Sequence, residues 1–170
     1  MPTEMRQEDR SNRIEELRLI SRRRKVLESL QIPSLSLNSF LDVREVKSLF
    51  SLVYNKSHLS NRKVDFYFYD RETDTMLPGE SAYEEALDLY KRELTSLELH
   101  ETLAVRENFI WFIVYENTLD AIQLKIADLL VIVNTKTFGI HDDEIVVSSV
   151  NTQKGLCLLR YEYNYSVSQW

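Results

Sequence analysis

Glycine and proline are scarce in this 170-residue chain, three of each, and cysteine occurs once. So little glycine excludes the loops that cradle phosphates, because backbone N–H groups approach an anion closely only where side chains are missing. Gly79, Gly139 and Gly155 stand far apart, so neither a P-loop, a dinucleotide fingerprint nor a nucleophile elbow is present. The low proline and glycine content also argues against disordered or collagen-like chain. One cysteine cannot form an internal disulfide, and Cys157 sits in the apolar run Leu156 to Leu159, where a buried, inert thiol is expected.

Long hydrophobic runs are missing as well. The longest, FIWFIVY at 109–115 and LLVIV at 129–133, fall well short of the roughly 20 residues a spanning helix needs. The opening MPTEMRQEDRSNR carries no apolar leader segment, which with the single thiol points to a reducing, cytoplasmic setting and no membrane.

What is present suffices for a core: 44% hydrophobic residues, with nine Tyr and seven Phe. The charge is uneven. Residues 1–64 hold 13 Lys and Arg against 8 Asp and Glu, whereas residues 65–170 hold 8 against 19. The stretch 65–101 alone has 11 acids and 3 bases, Arg71, Lys91 and Arg92. Such an imbalance bears on partners and association rates rather than on fold.

Periodicity predicts the elements. Ile14, Leu17, Ile20, Leu27 and Leu30 recur at helical spacing over 12–30, with Pro33 beyond as the stop. A second helix is expected over 40–55, with Ser39 and Asp42 as a capping box before the stripe Val43, Val46, Leu49, Phe50, Val53. KVDFYFYD at 63–70 alternates as a strand. After the Pro78-Gly79 turn, Ser81 and Glu84 suggest a capping box opening a helix with stripe Tyr83, Leu87, Tyr90, Leu94, Leu97. Phe109–Tyr115 is apolar throughout and reads as a central strand covered on both faces. Residues 118–133 carry both a helical stripe and an alternation at Ile122, Leu124 and Ile126; helix is preferred and strand stays open. EIVVSSV at 144–150 and LCLLRYEYNY at 156–165 read as a β-hairpin, with Gly155 expected to supply an unusual backbone angle.

The expected fold is therefore α+β: a mixed or antiparallel sheet of about four to five strands, helices packed on one side, an N-terminal helical pair and a C-terminal hairpin. It is read as a single domain over 1–170, helical over 1–56 and α/β over 63–170.

Candidate chemistry is thin. His58, His100 and His141 are each about forty residues from the next, so no pair has metal-ligand spacing. His141-Asp142-Asp143-Glu144 is the one local set of ligating types and reads first as a solvated turn. Gln123-Leu124-Lys125 matches the acid-or-Gln–x–Lys triplet of magnesium-dependent nucleases if it lies on a strand. Asp120 stands too close in sequence to come from a neighbouring strand, and a long helix separates Asp65 and Asp70 from the triplet, so an ordinary amphipathic segment is the simpler reading. Arg22-Arg23-Arg24-Lys25 suggests phosphate contacts, but Glu15, Glu16 and Glu28 share that helix, and pairs such as Arg24 with Glu28 make a solvated face the simpler reading. Tyr67 and Tyr69 share a strand face beside Asp65 and Asp70, which repel nucleic acid.

The acids are the most distinctive feature. Asp70, Glu72 and Asp74 are expected on a loop, and Glu84, Glu85 and Asp88 on the polar side of the following helix, forming one negative surface for a basic protein. The leading expectation is a non-enzymatic inhibitor of the immunity or antitoxin type, monomeric or dimeric and without cofactor, covering the basic face of a toxin such as a nuclease. Two alternatives stand beside it: an adaptor that docks through its N-terminal helix, and a magnesium-dependent nuclease-like enzyme.

Overall fold

A computed structural model describes residues 2–101, 108–135, 139 and 143–170. The chain runs α1 (Pro2–Leu30), a single 3-10 turn (Leu37–Ser39), α2 (Val43–Leu59), β1 (Arg62–Tyr67), β2 (Tyr69–Asp70), β3 (Thr75–Met76), α3 (Gly79–Glu101), β4 (Phe109–Tyr115), β5 (Thr118–Leu124), α4 (Ile126–Thr135), β6 (Ile145–Ser149), β7 (Gly155–Arg160) and β8 (Asn164–Gln169). Six strands form one sheet in the order β1-β8-β7-β6-β4-β5 with every pairing antiparallel, and β2 and β3 form a separate hairpin. The α+β class is as expected, with more strands than the four to five read from sequence. No helix among the described residues is long and apolar enough to cross a membrane.

Helices cover both faces of the sheet, which corrects the one-sided arrangement. Strand side chains alternate between faces. Phe109, Trp111 and Ile113 therefore join Ile122, Val147, Leu156, Leu158 and Val167 on one face, under Val26 of α1, Ala86, Tyr90 and Leu94 of α3, and Leu129 and Ile132 of α4. Ile110, Phe112, Ala121, Val146, Cys157 and Leu159 form the other face, under Val46 and Val53 of α2. The cause is local: β4 is buried from Phe109 through Ile113, so neither of its faces tolerates water. Removing such a side chain from water is worth about 1.5–3 kcal/mol.

The stretch 118–133 is not one helix. Ile122 pairs with Trp111 and Leu124 with Phe109 across β4–β5, and the helix begins only after Lys125. Glu116 (φ 49°) and Asn117 (φ 59°) form the two-residue turn, both in the left-handed region that hairpins of this length require. Two periodicities lie end to end in one apolar segment, the alternation of β5 and then the helical stripe of α4.

The C-terminal hairpin is a three-stranded meander. β7 ends at Arg160, the Tyr161 N–H donates to the Asn164 carbonyl at 2.8 Å, and β8 returns beside it. Gly155 does not take a left-handed angle; Thr152 (φ 58°) does. Glycine is needed at 155 for space, since a Cβ there would lie 1.9 Å from the Trp170 ring.

Helix boundaries shift for physical reasons. Gln31, at φ 54°, ends α1 ahead of Pro33, its N–H donating to the Leu27 carbonyl at 3.1 Å. Asp42 is itself the N-cap of α2, accepting the Arg44 N–H at 2.9 Å. Ser39 instead closes the 3-10 turn by accepting the Ser36 N–H at 3.0 Å. α3 begins at Gly79, which leaves Ser81 inside its first turn, where its hydroxyl reaches Glu85 at 3.4 Å rather than acting with Glu84 as a cap. The expected strand over 63–70 breaks at Phe68, whose N–H donates to the Tyr163 carbonyl at 3.0 Å and whose carbonyl accepts the Leu77 N–H at 2.7 Å.

Candidate functional site

Three of the sequence-predicted carboxylates lie in the β2–β3 hairpin. Asp70 closes its turn: one carboxylate oxygen accepts the Glu72 N–H at 2.9 Å and the other the Thr73 hydroxyl at 2.8 Å. Those bonds, the Thr73 hydroxyl first, hold the Asp70 carboxyl below its usual pKa. Asp74 sits in the left-handed region (φ 51°) and accepts the Tyr69 hydroxyl, which pushes the tyrosine pKa up. Glu72 is exposed at the tip. Asp70 and Asp74 thus shape the hairpin as well as charging it.

The other three lie on the outward side of α3. Glu84, Glu85 and Asp88 are exposed, while Ala82, Ala86, Tyr90 and Leu94 turn into the core. Only Leu77 and Pro78 separate the hairpin from this helix. The structure therefore gathers each trio on one element and sets the elements in succession. Among the described residues, no ion pair within 4 Å involves any of the six; the acids that are paired lie elsewhere. Apolar side chains stand exposed on the same hairpin and the adjoining strand: Tyr67, Met76 and Leu77. Tyr69 stacks on Tyr163 with ring centroids 4.8 Å apart, and the Arg71 guanidinium lies 5.4 Å from the Tyr163 ring.

The basic cluster of α1 is committed to the far edge of the sheet. Arg23 donates twice to Asp120, both at 2.8 Å, and once to the Leu41 carbonyl at 2.8 Å, over the Phe40 ring. Lys25 meets Glu116 at 3.0 Å and Arg22 approaches the same carboxylate at 3.7 Å. Neither the phosphate reading nor the Arg24–Glu28 pairing describes this arrangement, because the partners come from β5 and the β4–β5 turn, over 90 residues along the chain.

Gln123 and Lys125 do flank a strand end, but the carboxylates do not converge on them. Asp120 lies opposite Ile113 and Gln123 opposite Ile110, so the two point to opposite faces of β5. Asp65 lies on β1 at the other edge of the six-stranded sheet, about 24 Å away at some 4.8 Å per strand, and Asp70 follows just beyond β1. Among the described residues no three His, Cys, Asp or Glu side chains are grouped to hold a metal ion. His141 and Asp142 lie outside the described residues; Asp143 is bound by Tyr165 at 2.8 Å and Arg160 at 3.3 Å, and Glu144 accepts the Arg160 N–H at 3.0 Å. The His58 ring nitrogen meets the Tyr161 hydroxyl at 3.0 Å. Cys157 is fully buried, and burial drives its thiol pKa far up, so it is not a nucleophile in the folded chain.

One feature had no sequence signal. A cavity of about 500 Å³ opens between α2 and the sheet around Gln123, lined by Leu41, Leu49, Leu52, Ile110 and Val150 with Glu45 and Ser48 on its rim. Its walls come from separate stretches of chain whose periodicities give no hint that they meet. No protein-family model, curated protein or solved structure matches the chain.

Proposed function

We propose that this chain is a non-enzymatic acidic binding protein of the immunity or antitoxin kind. Its hairpin acids Asp70, Glu72 and Asp74 and its helix acids Glu84, Glu85 and Asp88 act as one face that covers the basic, phosphate-binding surface of a toxin such as a nuclease. The observation that carries this reading is the contrast in partners: Asp120, Glu116 and Asp143 are taken by the chain's own cations, and among the described residues these six form no ion pair. Like charges held close repel one another, and a cationic partner relieves that cost. Complementary charge would also speed encounter and make it sensitive to salt. Tyr67, Met76 and Leu77 give the same region the apolar and aromatic contacts on which interface energy concentrates.

The test is binding to basic nuclease toxins from the same host, with association rates measured at low and high ionic strength. The expected result is a rate at least about 10-fold lower in high salt. Glu84→Lys with Glu85→Lys and Asp88→Lys should produce a comparable loss while the circular dichroism stays unchanged. These three lie on the open side of α3, so the fold does not depend on them. An affinity indifferent to both changes would remove the acidic face from recognition.

A further inference from the structure

Over residues 8–18, α1 runs with its side chains open to solvent. Residues 8–18 are exposed without exception, and α1 is fastened to the body only further on, through Arg23, Lys25 and the buried Val26. In proteins most helical stability comes from packing an apolar face, and over 8–18 no such packing is seen among the described residues. Ile14 is 44% exposed and Leu17 59%, one above the other on a single stripe. Helical spacing sets Arg13 and Arg18 on the two flanks of that stripe, Arg10 one turn ahead of Ile14 at its end, and Glu8, Glu15 and Glu16 on the opposite side. The arm therefore offers an apolar ridge edged with positive charge.

The cavity beside Gln123 has the complementary character. It is open, walled mainly by leucine, isoleucine and valine, and among the described residues that line it Glu45 alone is ionised. Leu52 and Val150 stay 46% and 52% exposed along it. It lies on the α2 face at the β5 edge, whereas Asp120 of β5 anchors α1 from the opposite face.

We propose that the arm over residues 8–18 lies in the groove beside Gln123 of a second copy of this chain, with Ile14 and Leu17 against Leu49, Leu52 and Val150 and with Arg13 facing Glu45. Each copy carries one ridge and one groove, so a reciprocal exchange satisfies both and closes as a twofold dimer. This pairing is separate from the acidic face and does not depend on it.

Sedimentation equilibrium on the full chain tests the assignment. The wild type should form a dimer at micromolar concentration. Leu17→Asp and Leu52→Asp should each weaken it by about 100-fold or more, because either change breaks both symmetry-related contacts. Arg13→Glu and Glu45→Arg should each weaken it alone and restore it together. In a second measurement, copies carrying Leu17→Cys are mixed with copies carrying Leu52→Cys and oxidised. A disulfide between the two kinds of copy is expected, with the buried Cys157 taking no part. A monomeric wild type overturns the proposal, as does a dimer that survives Leu52→Asp, which would seat the arm on another arm or elsewhere. A charge swap without recovery, or no disulfide between the mixed copies, overturns it too.

Discussion

Replacing Asp120 by alanine should cost this protein about a fifth or more of its stability. The Asp120 side chain is 5% exposed and the Arg23 side chain 13%, and they share two bonds of 2.8 Å. Arg23 also serves the Leu41 carbonyl, and Asp120 accepts the Ala121 N–H at 2.9 Å. Removing the carboxylate strands a guanidinium in a site with little water, and breaking a buried pair in this way costs about 3–5 kcal/mol. Against a total of about 5–15 kcal/mol that is a large share. For a chain of this length it corresponds to a fall in Tm of about 10 °C. Urea unfolding followed by circular dichroism gives the number directly. The control is the double substitution Arg23→Met with Asp120→Leu, which removes both charges and should stay within about 1 kcal/mol of wild type or exceed it. A loss below about 1 kcal/mol for Asp120→Ala alone would refute the reasoning. It would mean that the pair is solvated and that α1 is held by Val26 and its apolar neighbours instead.

Gly155→Ala should destabilise by about 1–3 kcal/mol, because the new methyl displaces the Trp170 ring and with it the 3.2 Å bond from its indole N–H to the Thr152 carbonyl. Adding Trp170→Ala should recover part of that loss in the same unfolding assay, and a neutral Gly155→Ala would show that the ring is not held there. Tyr161 and Tyr165 are both pushed up to about 12, chiefly by burial, so the folded state keeps their protons where the unfolded chain releases them. The stability they contribute is complete below about pH 10 and is lost as pH rises from there through about 12. Alkaline unfolding with tyrosinate absorbance should show the two events together, whereas early titration of these tyrosines in the folded chain would contradict their burial.

The parts of this fold that sequence makes legible are those where one element imposes one pattern. Phe109–Tyr115 is apolar at every position, which announces a strand with cover on both sides; carried through consistently, that demanded helices on both faces. The stripe Tyr83, Leu87, Tyr90 and Leu94 gives α3 without ambiguity. Where two elements abut, the patterns merge: Ile122, Leu124 and Ile126 alternate on β5 and run on into the stripe of α4. Turns built without glycine or proline also went unseen, at Glu116–Asn117 and again after Arg160. The acidic segment was readable as composition. What could not be read was which acids are already matched, because Arg23 meets Asp120 across 97 residues and Lys25 meets Glu116 across 91. The groove beside Gln123 exists only once α2 and the sheet are brought together.

The strand order also sets the sequence of events in folding. β4 and β5, and β6, β7 and β8, join neighbours along the chain through short turns and can zip locally within microseconds. β1 differs: among the described residues its partner in the sheet is β8 alone, so that Asp65 waits for Asn164, 99 residues downstream. Closing so long a loop is the slow step by topology. During synthesis β1 and the charged hairpin after it leave the ribosome long before the strand that will hold them. Arg62, Lys63 and Asp65 keep that waiting edge polar, which protects the nascent chain from pairing with its neighbours.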